Sequence, residues 1–181
     1  FQAEAIEALN RGQSVLVAAP TGTGKTVVAD YIVEQALENN KEVIYTAPIK
    51  ALSNQKFRDY CSLLGEDKVG LVTGDQVIRR DAPCKVMTTE ILRNMLLGGE
   101  TLQNLAAVVI DEIHFLDLFD KRLLDWIRQI VHAGRCVGAL GSPPCSTWSR
   151  ARFRPLPGGG GPRPLCTRDL PLECVKDRTA K

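Results

Sequence analysis

Four apolar residues, Val15-Leu16-Val17-Ala18, run directly into Ala19-Pro20-Thr21-Gly22-Thr23-Gly24-Lys25-Thr26. A small residue, four free positions and then Gly-Lys-Thr make a phosphate-binding loop, and each requirement has a physical cause. Glycine lets the backbone curl until successive N–H groups face phosphate oxygens, and a helix beginning near Lys25 turns the positive end of its dipole toward them. Ala19 and Gly24 fill the outer fixed positions, with Thr21, Gly22 and Thr23 between them. Lys25 supplies a mobile positive charge and Thr26 a hydroxyl suited to magnesium. The plainer alternative is a glycine-rich turn joining a strand to a helix. The apolar run before the loop and the amphipathic run after it favour the phosphate reading.

The chain around this loop has two compositions. Residues 1–131 carry 14 Lys+Arg against 18 Asp+Glu, a net of −4, whereas the remainder carries 9 against 3, a net of +6. Cys61 and Cys84 lie in the front and Cys136, Cys145, Cys166 and Cys174 behind, with no C-x-x-C pair to suggest zinc. No apolar run approaches the ~20 residues of a membrane span, so 181 residues read as a soluble chain of about one domain, without a membrane partner. The chain begins with Phe1 rather than Met and shows no signal-peptide pattern, which reads as a fragment. A nucleotide-dependent front leads us to expect an intracellular, reducing location without a disulfide framework.

In chain order, Phe1–Asn10 has helical spacing and is stopped by Arg11-Gly12. Helical periodicity returns from Lys25 to Asn39 on Val28, Ile32, Val33, Ala36 and Leu37. Glu42–Thr46 is a strand, and a helix follows through Phe57, Tyr60, Leu63 and Leu64 to Gly65, with Pro48 near its first turn. Val69–Thr73 and Lys85–Thr89 are further strands, the second entering a helix at Glu90, with Thr89 as its N-cap, that carries Ile91, Leu92, Met95 and Leu96 and stops at Gly98-Gly99. Leu105–Ile110 is a third apolar run, and Lys121–Val131 a last helix. Alternation of strand and helix predicts a parallel sheet with helices on both faces, whose ligands bind at the carboxyl ends of the strands. Residues 132–181 contain seven Gly and seven Pro, and beyond a candidate strand at Cys136–Leu140 they read as mostly irregular.

The run Leu105–Ile110 ends on Asp111-Glu112-Ile113-His114. A carboxylate leaving a buried strand emerges at the same sheet edge as the phosphate loop, where a hard cation bridging phosphates takes a hydroxyl, a carboxylate and waters. Thr26 and Asp111 are the candidate magnesium ligands. Glu112, one residue on, is placed to orient and deprotonate an attacking water, and Lys25 to stabilise charge on the transferred phosphoryl group. Alone, the acidic pair would be a solvated turn; paired with a phosphate loop it points to nucleotide hydrolysis.

Asp111-Glu112-Ile113-His114 is similar to the DExH motif of superfamily 2 helicases. Ala47-Pro48-Ile49-Lys50-Ala51-Leu52-Ser53-Asn54-Gln55 resembles motif Ia of the exosome-associated, superkiller-type RNA helicases, and Thr73-Gly74-Asp75 and Met87-Thr88-Thr89-Glu90-Ile91-Leu92 resemble that family's later motifs in the same order. The resemblance covers Phe1 to about Asp117. It implies an α/β, RecA-like ATP-binding domain over residues 1–141, atypical after about 120, and a Pro/Gly/Arg-rich basic tail over 142–181. It further implies that ATP and Mg2+ are the cofactors and that Gln2 contacts adenine. Pro48, Lys50, Ala51, Thr73, Gly74 and Thr88 would line a track for the backbone of single-stranded RNA or another nucleic acid, and His114 would couple nucleotide state to that track. Small residues, hydroxyls and one lysine at strand ends suit backbone contacts without base readout, although ordinary turns use the same residues.

The resemblance breaks near residue 140. Where the family has Ser-Ala-Thr at a strand end, this chain has Ala139-Leu140-Gly141-Ser142-Pro143-Pro144. A second RecA-like domain, which supplies arginines to the transferred phosphate, is not in the sequence, and Arg150, Arg152 and Arg154 are no evident substitute. Poor hydrolysis and no unwinding by this chain alone are therefore expected. The rival reading is a non-catalytic nucleic-acid-binding module derived from a helicase. Another P-loop ATPase fold conflicts with the motif order from Ala47 to Leu92. Pro144-Cys145 faintly resembles the nucleophile loop of cytosine-5 DNA methyltransferases, with nothing else of that enzyme in view.

Overall fold

Predominantly apolar runs without polar alternation form strands buried on both faces. Ser14–Ala18 (β1), Glu42–Ala47 (β2) and Leu105–Asp111 (β6) lie in the interior of one sheet. The structure, a computed structural model, describes residues 1–20, 22–98, 104–112, 136–141 and 172–176 together with Asp125, and over 96–97, 136–141 and 172–176 the backbone alone. Among the described residues, helices α1 (Gln2–Asn10), α2 (Thr26–Glu38), α3 (Lys50–Leu64) and α4 (Thr89–Leu97) alternate with the strands. Strands β3 (Val69–Val72), β4 (Val77–Ile78), β5 (Cys84–Thr88), β7 (Cys136–Gly141) and β8 (Leu172–Lys176) complete the order β4-β3-β5-β2-β6-β7-β1-β8. Every pairing is parallel except the β3–β4 hairpin. No helix among the described residues is long and apolar enough to cross a membrane.

Helix α2 buries the face that its periodicity foretold. Val28, Ile32, Val33 and Ala36 of α2 are buried with Ala29 against Val15, Val17 and Val109, and Ala5, Ala8 and Leu9 of α1 join the same core. Helix α3 differs from expectation: Tyr60 is buried, but Leu63 lies on the outer face, 55% exposed. It begins at Lys50 after an extended Ile49, so Pro48 precedes the helix rather than entering its first turn. Thr89 is the first residue of α4 and not its cap; its hydroxyl is buried without a hydrogen-bond partner among the described residues.

Two further features were not anticipated. The chain reverses after Thr73, whose backbone N–H donates to Gln76 O at 2.8 Å, and returns as β4. Gly70 makes this return possible, because a Cβ there would lie 2.2 Å from the carbonyl oxygen of Arg79. In the otherwise irregular-looking tail, Leu172–Lys176 is a strand that pairs in parallel with the whole length of β1, Ser14 opposite Leu172 through Ala18 opposite Lys176. The expected strand at Cys136–Leu140 is present as β7, between β6 and β1. The expected helix over Lys121–Val131 lies outside the described residues apart from Asp125.

Register sets the carboxyl ends of the strands level. Asp111 is opposite Leu140 and Leu140 opposite Val17, so β6, β7 and β1 finish along one edge. Ala47 is opposite Thr88, and Met87 opposite Val72, which brings β2, β5 and β3 to the same edge. The sheet thus presents two adjoining sets of loops, one following β1 and β6, the other following β2, β5 and β3.

Candidate functional site

Positive backbone angles curl the loop after β1, with φ of +82° at Gly22 and +83° at Gly24. Gly24 is also crowded: a Cβ there would meet Gln2 Nε2 at 2.6 Å, and that amide donates to Gly24 O at 2.9 Å. Gln2 is therefore seated on the loop itself. The Thr23 hydroxyl donates to Pro20 O at 2.7 Å, and the Lys25 ammonium reaches back to donate to Ala19 O and Pro20 O, both at 2.8 Å. Thr26 opens α2, so its hydroxyl-bearing side chain stands at the helix entrance. Thr21 lies outside the described residues.

Burial pushes the Lys25 ammonium below the ordinary lysine range, and the carboxylates of Glu112 and Asp111 pull it back. Those charges act on Lys25 because β6 ends level with β1, although Asp111 lies 86 positions after Lys25 in the chain. Both Asp111 oxygens are held. Oδ1 accepts the Glu112 backbone N–H at 2.9 Å, and Oδ2 accepts the Tyr45 hydroxyl at 2.5 Å. Glu112 leaves the strand in the left-handed region with φ of +51°, a conformation uncommon for a residue with a side chain. The donor set fits a hard cation: one strand-end carboxylate and one helix-entrance hydroxyl, with no cluster of three His, Cys, Asp or Glu among the described residues. Magnesium is commonly held this way, through one or two protein oxygens plus phosphates and water, and not by an all-protein cage.

On the adjoining loops, Lys50 and Asp75 pair at 2.9 Å, and the Thr73 hydroxyl donates to the same Asp75 oxygen at 3.0 Å. The hydrogen bonds from Lys50 and Thr73 hold the Asp75 carboxyl below its usual range. Lys50, Ala51 and Gly74 are exposed, Pro48 is half-buried, and Thr73 and Thr88 are buried at the ends of their strands. The structure thus brings Pro48, Lys50, Ala51, Thr73, Gly74 and Thr88 to one edge. His114 lies outside the described residues.

Sequence reading missed a group at the boundary between the two sets of loops. Tyr45 stands on β2 beside β6, its ring edge-on to Tyr60 of α3 with centroids 5.5 Å apart. Lys56 Nζ lies 5.6 Å from the Tyr45 centroid and 5.8 Å from that of Tyr60, and the Tyr60 hydroxyl donates to Asp30 Oδ1 at 3.0 Å. Burial, then the nearby carboxylates, drive both phenols above the ordinary tyrosine range, so they remain proton donors. One signal was available: a phenol in a strand buried on both faces must find a polar partner.

With the loop after β1 and the acidic pair after β6 level at one sheet edge, the fold is that of a RecA-like P-loop domain. A family profile described as DEAD/DEAH box helicase matches residues 1–142. The chain belongs to that family. It is 55% identical over 117 residues to the ATP-dependent RNA helicase mtr4 of Schizosaccharomyces pombe, covering 64% of this chain and 10% of the relative. It is 47% identical over 132 residues to the antiviral helicase SKI2 of Saccharomyces cerevisiae, covering 72% and 10%. Among solved structures, the Hef helicase domain of Pyrococcus furiosus superposes with a TM-score of 0.64 at 27% identity, over 81% of this chain and 33% of that one. The superkiller-type resemblance thus holds, and the relatives that carry it are themselves named as helicases. It spans about a tenth of the length of these curated relatives.

Proposed function

We propose that this chain is the ATP-binding lobe of a DExH-box RNA helicase, one that binds Mg2+ and ATP at the loop after β1 and hydrolyses ATP slowly by itself. The observation that carries this reading is the convergence of Lys25 with Asp111 and Glu112 at level strand ends. Lys25 exchanges its carbonyl partners for phosphate oxygens and stabilises the charge that develops during transfer. Thr26 and Asp111 hold the cation, which when bound neutralises phosphate charge. Glu112 orients the attacking water and takes its proton. Gln2, already on the loop at Gly24, contacts the base. The edge formed by Pro48, Lys50, Ala51, Thr73, Gly74 and Thr88 receives the backbone of single-stranded RNA, and His114 couples the two sites.

Unwinding needs a second lobe that closes on the nucleotide and supplies an arginine, a contribution of ~10³ or more in rate. The tail residues 142–181 have no such role in this reading. A second reading, a nucleic-acid-binding module without turnover, is favoured by one feature: β7 ends at Gly141 and runs into Ser142-Pro143-Pro144 where the family has Ser-Ala-Thr.

The test is ATP binding and turnover by the purified chain, with and without single-stranded RNA, beside Lys25→Ala and Glu112→Gln. Expected are magnesium-dependent ATP binding lost in Lys25→Ala, slow turnover lost in both variants, and no duplex unwinding. RNA binding with no ATP binding at all would favour the second reading. Robust RNA-stimulated turnover would overturn the half-site account.

A further inference from the structure

We propose that Tyr45 is a positioning residue for the metal-binding carboxylate, fixing Asp111 from the strand that leads into the nucleic-acid edge. The inference rests on the reading of Asp111 as a magnesium ligand given above, and adds a residue that no motif singles out. Tyr45 belongs to β2, whose carboxyl end becomes Pro48 and the start of α3. Its hydroxyl crosses to β6 and donates to Asp111 Oδ2. The backbone N–H of Glu112 holds the other oxygen, so together the two donors fix the plane of the carboxylate. A ligand held by outer hydrogen bonds loses less freedom on binding its metal, and removing such a partner commonly costs 10–100-fold in metal affinity, about the range expected here.

The ring that carries this hydroxyl is itself fixed. Tyr45 is 1% exposed and packs on Tyr60, which is anchored through its own hydroxyl to Asp30 of α2. Lys56 of α3 lies over both rings, and a cation on the face of a phenol draws electron density from it and strengthens its O–H as a donor. The buried Thr46 hydroxyl, donating to Val109 O at 3.1 Å, ties β2 to β6 beside the same junction. Tyr45 is thus built into the seam where the two sets of strand ends adjoin, and a movement of β2 or α3 would be transmitted to the carboxylate through one hydrogen bond.

The experiment titrates MgCl2 into the full chain with a fluorescent non-hydrolysable ATP analogue, comparing the original protein with Tyr45→Phe, Asp111→Asn and the double variant. Expected for Tyr45→Phe is about a tenfold higher magnesium concentration at half-saturation, with unchanged analogue affinity in EDTA. In the Asp111→Asn background the same substitution should change neither quantity. Tyr60→Phe, which leaves the Tyr45 hydroxyl in place, should stay within about twofold of the original protein. An unshifted magnesium midpoint in Tyr45→Phe, or an equal shift in Tyr60→Phe, would overturn the proposal. Loss of magnesium dependence in the original protein would instead overturn the reading of the site on which it rests.

Discussion

Single positions in the phosphate loop are under two separate constraints, and they can be distinguished at Gly24. Its φ of +83° strains any L side chain, and the Gln2 amide stands 2.6 Å from where a Cβ would be. Left-handed backbone costs a non-glycine residue roughly 1–2 kcal/mol. Gly24→Ala should therefore lower unfolding free energy by about that amount plus the cost of displacing Gln2, as read in urea titrations. Adding Gln2→Ala should recover the second part and leave the first. Full recovery would show that the backbone at Gly24 tolerates a side chain. Lys50 illustrates the opposite case. Its pair with Asp75 is 55% and 67% exposed on the two sides, and a pair so screened by solvent adds little to stability. Lys50→Ala should leave stability nearly unchanged while weakening single-stranded RNA binding and reducing the logarithmic salt slope by ~0.7, the signature of one lost phosphate contact. An unchanged salt slope would remove Lys50 from the track.

Among the elements, β8 has a consequence that its composition did not suggest. By pairing with β1 it covers the edge of the strand that carries the phosphate loop. A buried apolar strand left at a sheet edge is a template for pairing with another chain. Deleting residues 172–181 should cost on the order of 1 kcal/mol for each ladder hydrogen bond lost. It should also produce dimers or larger species by light scattering at concentrations where the full chain is monodisperse. A truncated chain equal to the full one in both stability and size would remove β8 from the account of stability. At the other edge, the β3–β4 hairpin is two residue pairs long, and Arg79 completes it by donating from Nε to Val69 O at 2.9 Å. That two-residue strand, with Arg79 directly after it, leaves little edge open for association.

The interior as a whole carries protonated groups that the unfolded chain would ionise. Burial pushes the Cys84 thiol up to about 12, and it raises the Tyr45 and Tyr60 phenols as well. An unfolded thiol loses its proton near ~8.5 and a phenol near ~10. Between those values and the folded ones the unfolded state binds fewer protons, so stability is fully present below pH ~8.5 and falls as pH rises, by up to ~1.4 kcal/mol per pH unit for each group. Urea midpoints measured from pH 7 to 11 should decline from about pH 9, and Cys84→Ala should delay the onset by about one unit. A flat profile to pH 11 would contradict the buried, protonated thiol.

What the residues determined unaided is whatever depends on near neighbours. Val15–Ala18 and Leu105–Ile110 read as strands buried on both faces, and the spacing from Ala19 to Thr26 as a phosphate loop, because periodicity and loop sterics act over a few positions. Asp111-Glu112 was legible as the end of such a strand for the same reason. Tertiary structure alone decided which strand ends meet. Nothing local joins Tyr45 to Asp111 across 66 positions, Lys50 to Asp75 across the ends of β2 and β3, or Leu172 to Ser14. Those partnerships follow from strand order and register, and shifting one strand by a single residue would turn every side chain on it to the opposite face. A phenol in β2 could announce that it needed an acceptor. Only the packing of β2 beside β6 could say that the acceptor is the carboxylate at the candidate metal site.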